Sequence, residues 1–136
     1  MPFWQFFDCL SESRQRNLIR EWVNDQPQGT RQRLKAALNV RLMELEQVEG
    51  PFDRAHGVGQ LRGEPCKGLY EIILKVDKIQ FRVISCYGPK PQGEFTLLMG
   101  TTEKGGRFTD QNVCPISHQR RIRSQDRRFI TEHTYD

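Results

Sequence analysis

The stretch Gly68–Gly88, "GLYEIILKVDKIQFRVISCYG", limits what this chain can fold into more than any other. Two apolar runs rich in Ile and Val meet across Asp77-Lys78, a spacing that reads as an antiparallel hairpin closed by a two-residue turn. Glycine would be the favoured second turn residue, and Lys78 stands there instead. Side chains alternate between the two faces of a strand. Ile79, Phe81 and Val83 therefore share one face, and Gln80, Arg82, Ile84 and Cys86 share the other. Arg82 puts a permanent cation at the centre of an apolar run. An antiparallel sheet covered on one face leaves the other free. The expectation is that Arg82 stands on the open face, where a charged ligand meets it.

The rest of the chain supplies the cover. Ser11 to Asp25 reads as a helix capped by Ser11 or Ser13, with Leu18, Ile19, Trp22 and Val23 as its apolar stripe. "QPQG" stops it. A second helix is expected from about Thr30 to Val48, because Leu34, Leu38, Leu42, Leu45 and Val48 fall on one face. Two helices joined by a short loop suggest an antiparallel hairpin. "EGPFDRAHGVGQLRGEPCKG" reads as loop. Strands follow at Leu69–Val76, Ile79–Cys86 and Glu94–Thr101, then a loop, "TEKGGRFTD", and a helix from Asn112 to about Arg128. The opening "PFWQFFDCL" is either a first strand or an apolar arm, and the tail "FITEHTYD" shows no pattern. The fold class is α+β in a single domain, 1–136. An N-terminal helical hairpin packs on a small antiparallel sheet, followed by a C-terminal helix. An aromatic arm (1–10) and a basic extension (about 118–136) flank it.

Composition narrows the class. Hydrophobic residues are 36% and charged residues 28% of the chain, as expected for a globular protein. No apolar run approaches the roughly 20 residues that span a bilayer. The start has no basic segment ahead of its apolar part, so a secretory leader is not read there and a cytoplasmic location is expected. Cys9, Cys66, Cys86 and Cys114 lack paired metal-ligand spacing, which argues against zinc and for reduced, idle thiols. His118 beside the basic run reads as surface, and His56 and His133 show no partner. The net charge of +4 leans towards a polyanionic partner.

Four blocks carry a resemblance: "LRGEPCKGLYEI" (61–72), "FRVISCY" (81–87), "EFTLLMG" (94–100) and "TEKGGRF" (102–108). Together they are similar to successive blocks of the RelE/HigB/ParE toxin superfamily, closest to its phage-derived, HigB-like group. The resemblance runs from about Arg14 to about Arg123. It implies a RelE-like fold and the toxin half of a type II toxin–antitoxin pair. Relatives in the RelE and HigB branches cut messenger RNA on the ribosome, whereas ParE relatives inhibit DNA gyrase. A shared fold does not choose between these activities. A catalytically inactive binding module of the same fold is a third reading. For the nuclease, the resemblance implies Arg82 as phosphate clamp, Lys104 and Arg107 as charge stabilisers or proton carriers, and Tyr87 as a stacking or proton-donating group. Lys67, Lys75, Arg120, Arg121 and Arg123 are the candidate RNA contacts. No metal or cofactor is implied, since the attacking 2′-hydroxyl belongs to the substrate. The implied partners are mRNA on the ribosome and a cognate antitoxin with a helix-turn-helix domain. No membrane contact is implied.

Overall fold

A computed structural model describes all residues, 1–136. It shows an α+β fold of three helices and one mixed, seven-stranded sheet. The strands are β1 (Gln5–Cys9), β2 (Val58–Gln60), β3 (Tyr70–Val76), β4 (Ile79–Tyr87), β5 (Glu94–Lys104), β6 (Arg107–Phe108) and β7 (Ile130–Glu132). The helices are α1 (Leu18–Asn24), α2 (Gln28–Leu45) and α3 (Val113–Ser124). The sheet order is β2-β3-β4-β5-β1-β7, with β6 paired to β5. No helix is long and apolar enough to cross a membrane.

The hairpin read from the sequence is present in the expected register. Val76 pairs with Ile79 and Tyr70 with Ser85. Asp77 and Lys78 both adopt left-handed backbone, with φ of 54° and 66°, as a tight primed turn requires. A third strand, β5, extends the ladder, with a bulge between Ile84 and Ser85. One face of this ladder meets α1 and α2. Ile19, Val23, Leu34, Leu38, Leu42 and Leu45 pack there against Phe81, Val83, Phe95 and Leu97. Gly100 sits under Trp22, and a methyl group on Gly100 would lie 1.8 Å from the indole. Close approach of the aromatic ring to the sheet is therefore why glycine stands at that position.

Several expectations are corrected. The sheet is neither small nor purely antiparallel, because β1 inserts beside β5 in parallel. The opening segment is thus an inner strand of the sheet. Its aromatic residues Trp4 and Phe6 are buried in the main core. The tail is not loose: β7 adds to the free edge of β1. The first helix begins at Leu18, not Ser11. Asn17 caps it, accepting bonds from Ile19 and Arg20, while the Ser11 hydroxyl accepts from the backbone of Arg16 in the turn ahead of it. The segment after α2 contributes β2, and "TEKGGRFTD" forms the β5–β6 hairpin through Gly105-Gly106.

The second face is open only in part. α3 lies across part of it over a smaller core of Cys9, Leu69, Ile84, Cys86, Leu98, Val113 and Cys114. The thiols are not all idle. Cys66 and Cys114 form a disulfide, which ties the 61–69 loop to the first turn of α3, and Cys9 and Cys86 stay free and buried in the same core. Burial pushes the Cys86 thiol up to about 12, so it is a packing residue.

A candidate site at a buried arginine and its carboxylates

Arg82 projects from the middle of β4 on the face opposite α1 and α2, as its parity predicts. It pairs in register with Ile73 on β3 and Thr101 on β5. Glu71 and Glu103 occupy opposite diagonal corners around it, within reach of a long side chain. Arg82 is not exposed, however: its side chain retains 8% of its accessible surface, and that of Glu71 retains 9%. The Arg82 Nε lies 3.3 Å from Glu71 Oε1 and 3.4 Å from Glu103 Oε2. Its Nη1 donates to the Phe81 carbonyl at 2.8 Å. The expected open-face cation is therefore a guanidinium held between two carboxylates. α3 covers the adjacent part of this face, while Lys75 at its far end stays exposed.

The cluster is incompletely satisfied. Arg82 Nε and Glu71 Oε1 are buried and face each other, yet neither has a hydrogen bond of good geometry. Burial raises the Glu71 carboxyl above its ordinary 4.5. Arg82 opposes that rise, Glu103 adds to it, and Arg54 opposes it. Arg54 arrives over Gly59, which pairs with Glu71 across β2 and β3. A methyl group on Gly59 would lie 3.2 Å from Glu71 Oε2 and 3.5 Å from Arg54 Nη2, so the bare glycine gives both groups room. Beside Arg82, the Thr101 hydroxyl donates to Asp110 at 2.6 Å.

The other sequence-derived residues do not converge on Arg82. Tyr87 belongs to the main core, among Trp4, Phe52, Tyr70 and Phe95. Its hydroxyl accepts from the Phe52 backbone at 2.8 Å, and burial pushes the phenol up. Lys104 and Arg107 face each other at the exposed end of the β5–β6 hairpin. Lys104 has the strand parity of Thr102, the partner of Phe81, not that of Arg82. Lys75 is exposed and shares Arg82's parity, and Lys67 is exposed beside Cys66. Arg120 donates to the Leu98 carbonyl at 3.0 Å and Arg123 to the Leu10 carbonyl at 2.8 Å, so both turn towards the sheet. Burial lowers the pKa of Arg120. Arg121 packs against Gly68.

Glu71, Glu103 and Arg54 are the residues that sequence reasoning missed. Glu71 carried a usable signal. Once Asp77-Lys78 is taken as a two-residue turn, counting outward pairs residue 73 with 82 and residue 71 with 84. That puts Glu71 diagonally beside Arg82 on the same face.

A second buried polar network lies on the helix side. His133 Nδ1 meets Asp8 Oδ1 and its Nε2 meets Asn39 Oδ1, each at 2.9 Å. Asn17 donates to the other Asp8 oxygen at 3.0 Å. Asp8 and His133 retain 4% and 8% of their side-chain surface. A cleft of about 170 Å³ beside them is also lined by Arg20 and Lys35. His133 thus has two partners, and His56 has one in Asp53.

No family model, curated protein or solved structure matches this chain.

Proposed function

We propose that this chain is the toxin half of a type II toxin–antitoxin pair and acts as a ribosome-dependent mRNA endonuclease. One observation carries the reading. Arg82, the residue that the RelE/HigB resemblance marks for phosphate, sits at the middle of three adjacent strands with a proton-hungry buried carboxyl beside it. Cleavage by a neighbouring 2′-hydroxyl needs a group to accept that proton and a cation to hold the phosphate as charge develops. A guanidinium suits the second task because its planar fork matches two phosphate oxygens. The order of segments lends coarse support, with α1 and α2 ahead of the three strands that carry the resemblance. A helix-turn-helix antitoxin is the partner, and action on ribosomes places the protein in the cytoplasm. The Cys66–Cys114 bond runs against that compartment, where thiols are kept reduced.

A second reading has its own support. Arg82 already has two anionic partners, Tyr87 is packed in the core, and Lys104 and Arg107 stand apart from both. A catalytically inactive binding module of the same fold accounts for that dispersal.

The deciding experiment maps mRNA 5′ ends in bacteria minutes after induced expression, with Arg82→Ala alongside. New ends within translated codons, lost in the variant, support the nuclease. Growth arrest without new ends points to a gyrase inhibitor. Neither arrest nor ends leaves the binding module.

A further inference from the structure

We propose that the Cys66–Cys114 disulfide is a reversible redox latch, which clamps the 62–68 segment onto the N-terminal half of α3 when oxidised and frees both when a dithiol reduces it. The two halves of α3 are held in different ways. Side chains pin its C-terminal half to the sheet: Arg120 donates to the Leu98 carbonyl at 3.0 Å and Arg123 to the Leu10 carbonyl at 2.8 Å. The N-terminal end has no such tie. Asn112 precedes it in left-handed backbone, with φ of 60°, and makes no side-chain capping bond. A helix start without a capping side chain frays more readily. Ser117 reaches only the Met99 sulfur, at 3.9 Å. The disulfide at Cys114, in the first turn, is the covalent fixing point of this end, beside the burial of Val113.

The segment across the bond depends on it too. Leu61 and Leu69 anchor its ends in the small core. Between them the hydrogen bonds are internal, from the Cys66 amide to the Gly63 carbonyl and from the Leu69 amide to that of Cys66. Arg121 follows Cys114 by two helical turns, so it shares a face of α3 with it, and its guanidinium lies over Gly68. With the bond broken, the tip of that flexible side chain is what remains of the clamp. Lys67, between Cys66 and Gly68, is exposed, so the closed latch holds it beside Arg121. Both are candidate RNA contacts, and the bearing of the latch on RNA rests on the nuclease reading. Cys66 is partly exposed and Cys114 is buried. A thiolate of the dithiol therefore attacks the Cys66 sulfur, and Cys114 leaves as a thiolate that takes up a proton. The second thiol attacks the reductant sulfur of the mixed disulfide and releases the Cys66 thiol. Two electrons pass to the protein, and the reductant departs as a disulfide. A disulfide oxidant reverses the exchange. In a thiol-reducing compartment the latch stands open, and oxidising conditions close it.

The test uses the full chain oxidised, reduced with dithiothreitol, and reoxidised with oxidised glutathione. After reduction, hydrogen exchange should be at least about tenfold faster in 62–68 and 113–117. Over the same labelling time β4 and 120–124 should stay protected, and trypsin should nick the reduced chain after Lys67. Iodoacetamide should label Cys66 and Cys114 alone, because Cys86 and Cys9, which Arg123 contacts, stay buried. Reoxidation should restore slow exchange. Unchanged exchange in the two segments overturns the proposal. So does loss of protection in β4 alongside them, which would make the bond a staple of the whole fold. Cys66→Ser with Cys114→Ser should match the reduced wild type whichever reagent is present, and a redox response in that variant overturns the assignment to this pair. Should the variant not fold, the reduced wild type carries the test. A single-stranded RNA oligonucleotide should bind the oxidised chain more tightly than the reduced one. Equal affinity overturns the link to RNA and leaves the nuclease reading to the cleavage experiment.

Discussion

The Asp8–His133 network and the Glu71–Arg82 cluster are both buried polar clusters held by the same sheet, on opposite faces. They differ in how completely they are satisfied. Around Asp8, each carboxylate oxygen and each imidazole nitrogen has a partner at 2.9–3.0 Å. Around Arg82, the closest carboxylate contacts are 3.3 and 3.4 Å, and two facing atoms lack hydrogen bonds of good geometry. Burying charge is unfavourable unless pairing and hydrogen bonds offset it. The first network meets that condition and docks the last strand and tail onto β1 and α2. The second does not, so it contributes less to stability than its burial suggests.

Mutation and titration can break that contrast. The largest effect belongs to the satisfied network. Asp8→Ala strands His133 and Asn17 and should cost about 3–5 kcal/mol in urea unfolding. A loss below about 1 kcal/mol would erase the distinction between the two clusters. Next is the tie that holds α3 over the Arg82 side of the sheet. Reducing Cys66–Cys114, which closes a 48-residue separation, should cost about 2–4 kcal/mol and lower the thermal midpoint. A midpoint unchanged by reductant would show that the α3 packing suffices alone.

Replacing the unsatisfied pair should have a smaller effect, and of opposite sign. Glu71→Leu with Arg82→Met should leave stability unchanged or raise it by about 1–2 kcal/mol, while abolishing any RNA cleavage. A clear loss of stability would mean that the cluster holds the fold after all.

The smallest effect is a pH dependence. The Glu71 carboxyl binds its proton more tightly in the folded chain than in the unfolded one. Below its unfolded value near 4.5, both states are protonated and the burial penalty is absent. As pH rises through the raised folded value, the native state must bury a charge and stability is lost. Wild-type stability relative to Glu71→Gln should therefore fall across the range just above 4.5. A rise over that range would reverse the sign assigned to Glu71.

Much of the fold is legible in the chain because its signals are local. The β3–β4 turn, the register beyond it and the apolar face of α2 all follow from neighbours a few residues apart. Leu34, Leu38, Leu42 and Leu45 are buried as their spacing requires. The candidate site is legible only in part. Arg82's face follows from strand parity, and Glu71's place follows from counting back through the turn. Tyr87 shows the limit of that reasoning. Parity puts it with Phe81 and Val83, on the helix-covered face, and a resemblance by residue type does not register that burial.

Strand alternation and a two-residue turn are enough to put Arg82 and Glu71 on one sheet face. Tertiary structure alone decided that Arg82 is buried on this face. The disulfide ties α3 to a loop 48 residues earlier, Glu103 comes from a third strand, and Arg54 from the turn before β2. It also decided that an unpatterned tail becomes β7, because β1 is short, apolar and offers a free edge beside Asp8. Local periodicity sets which way a side chain points. What it meets there depends on segments whose approach no short-range pattern encodes.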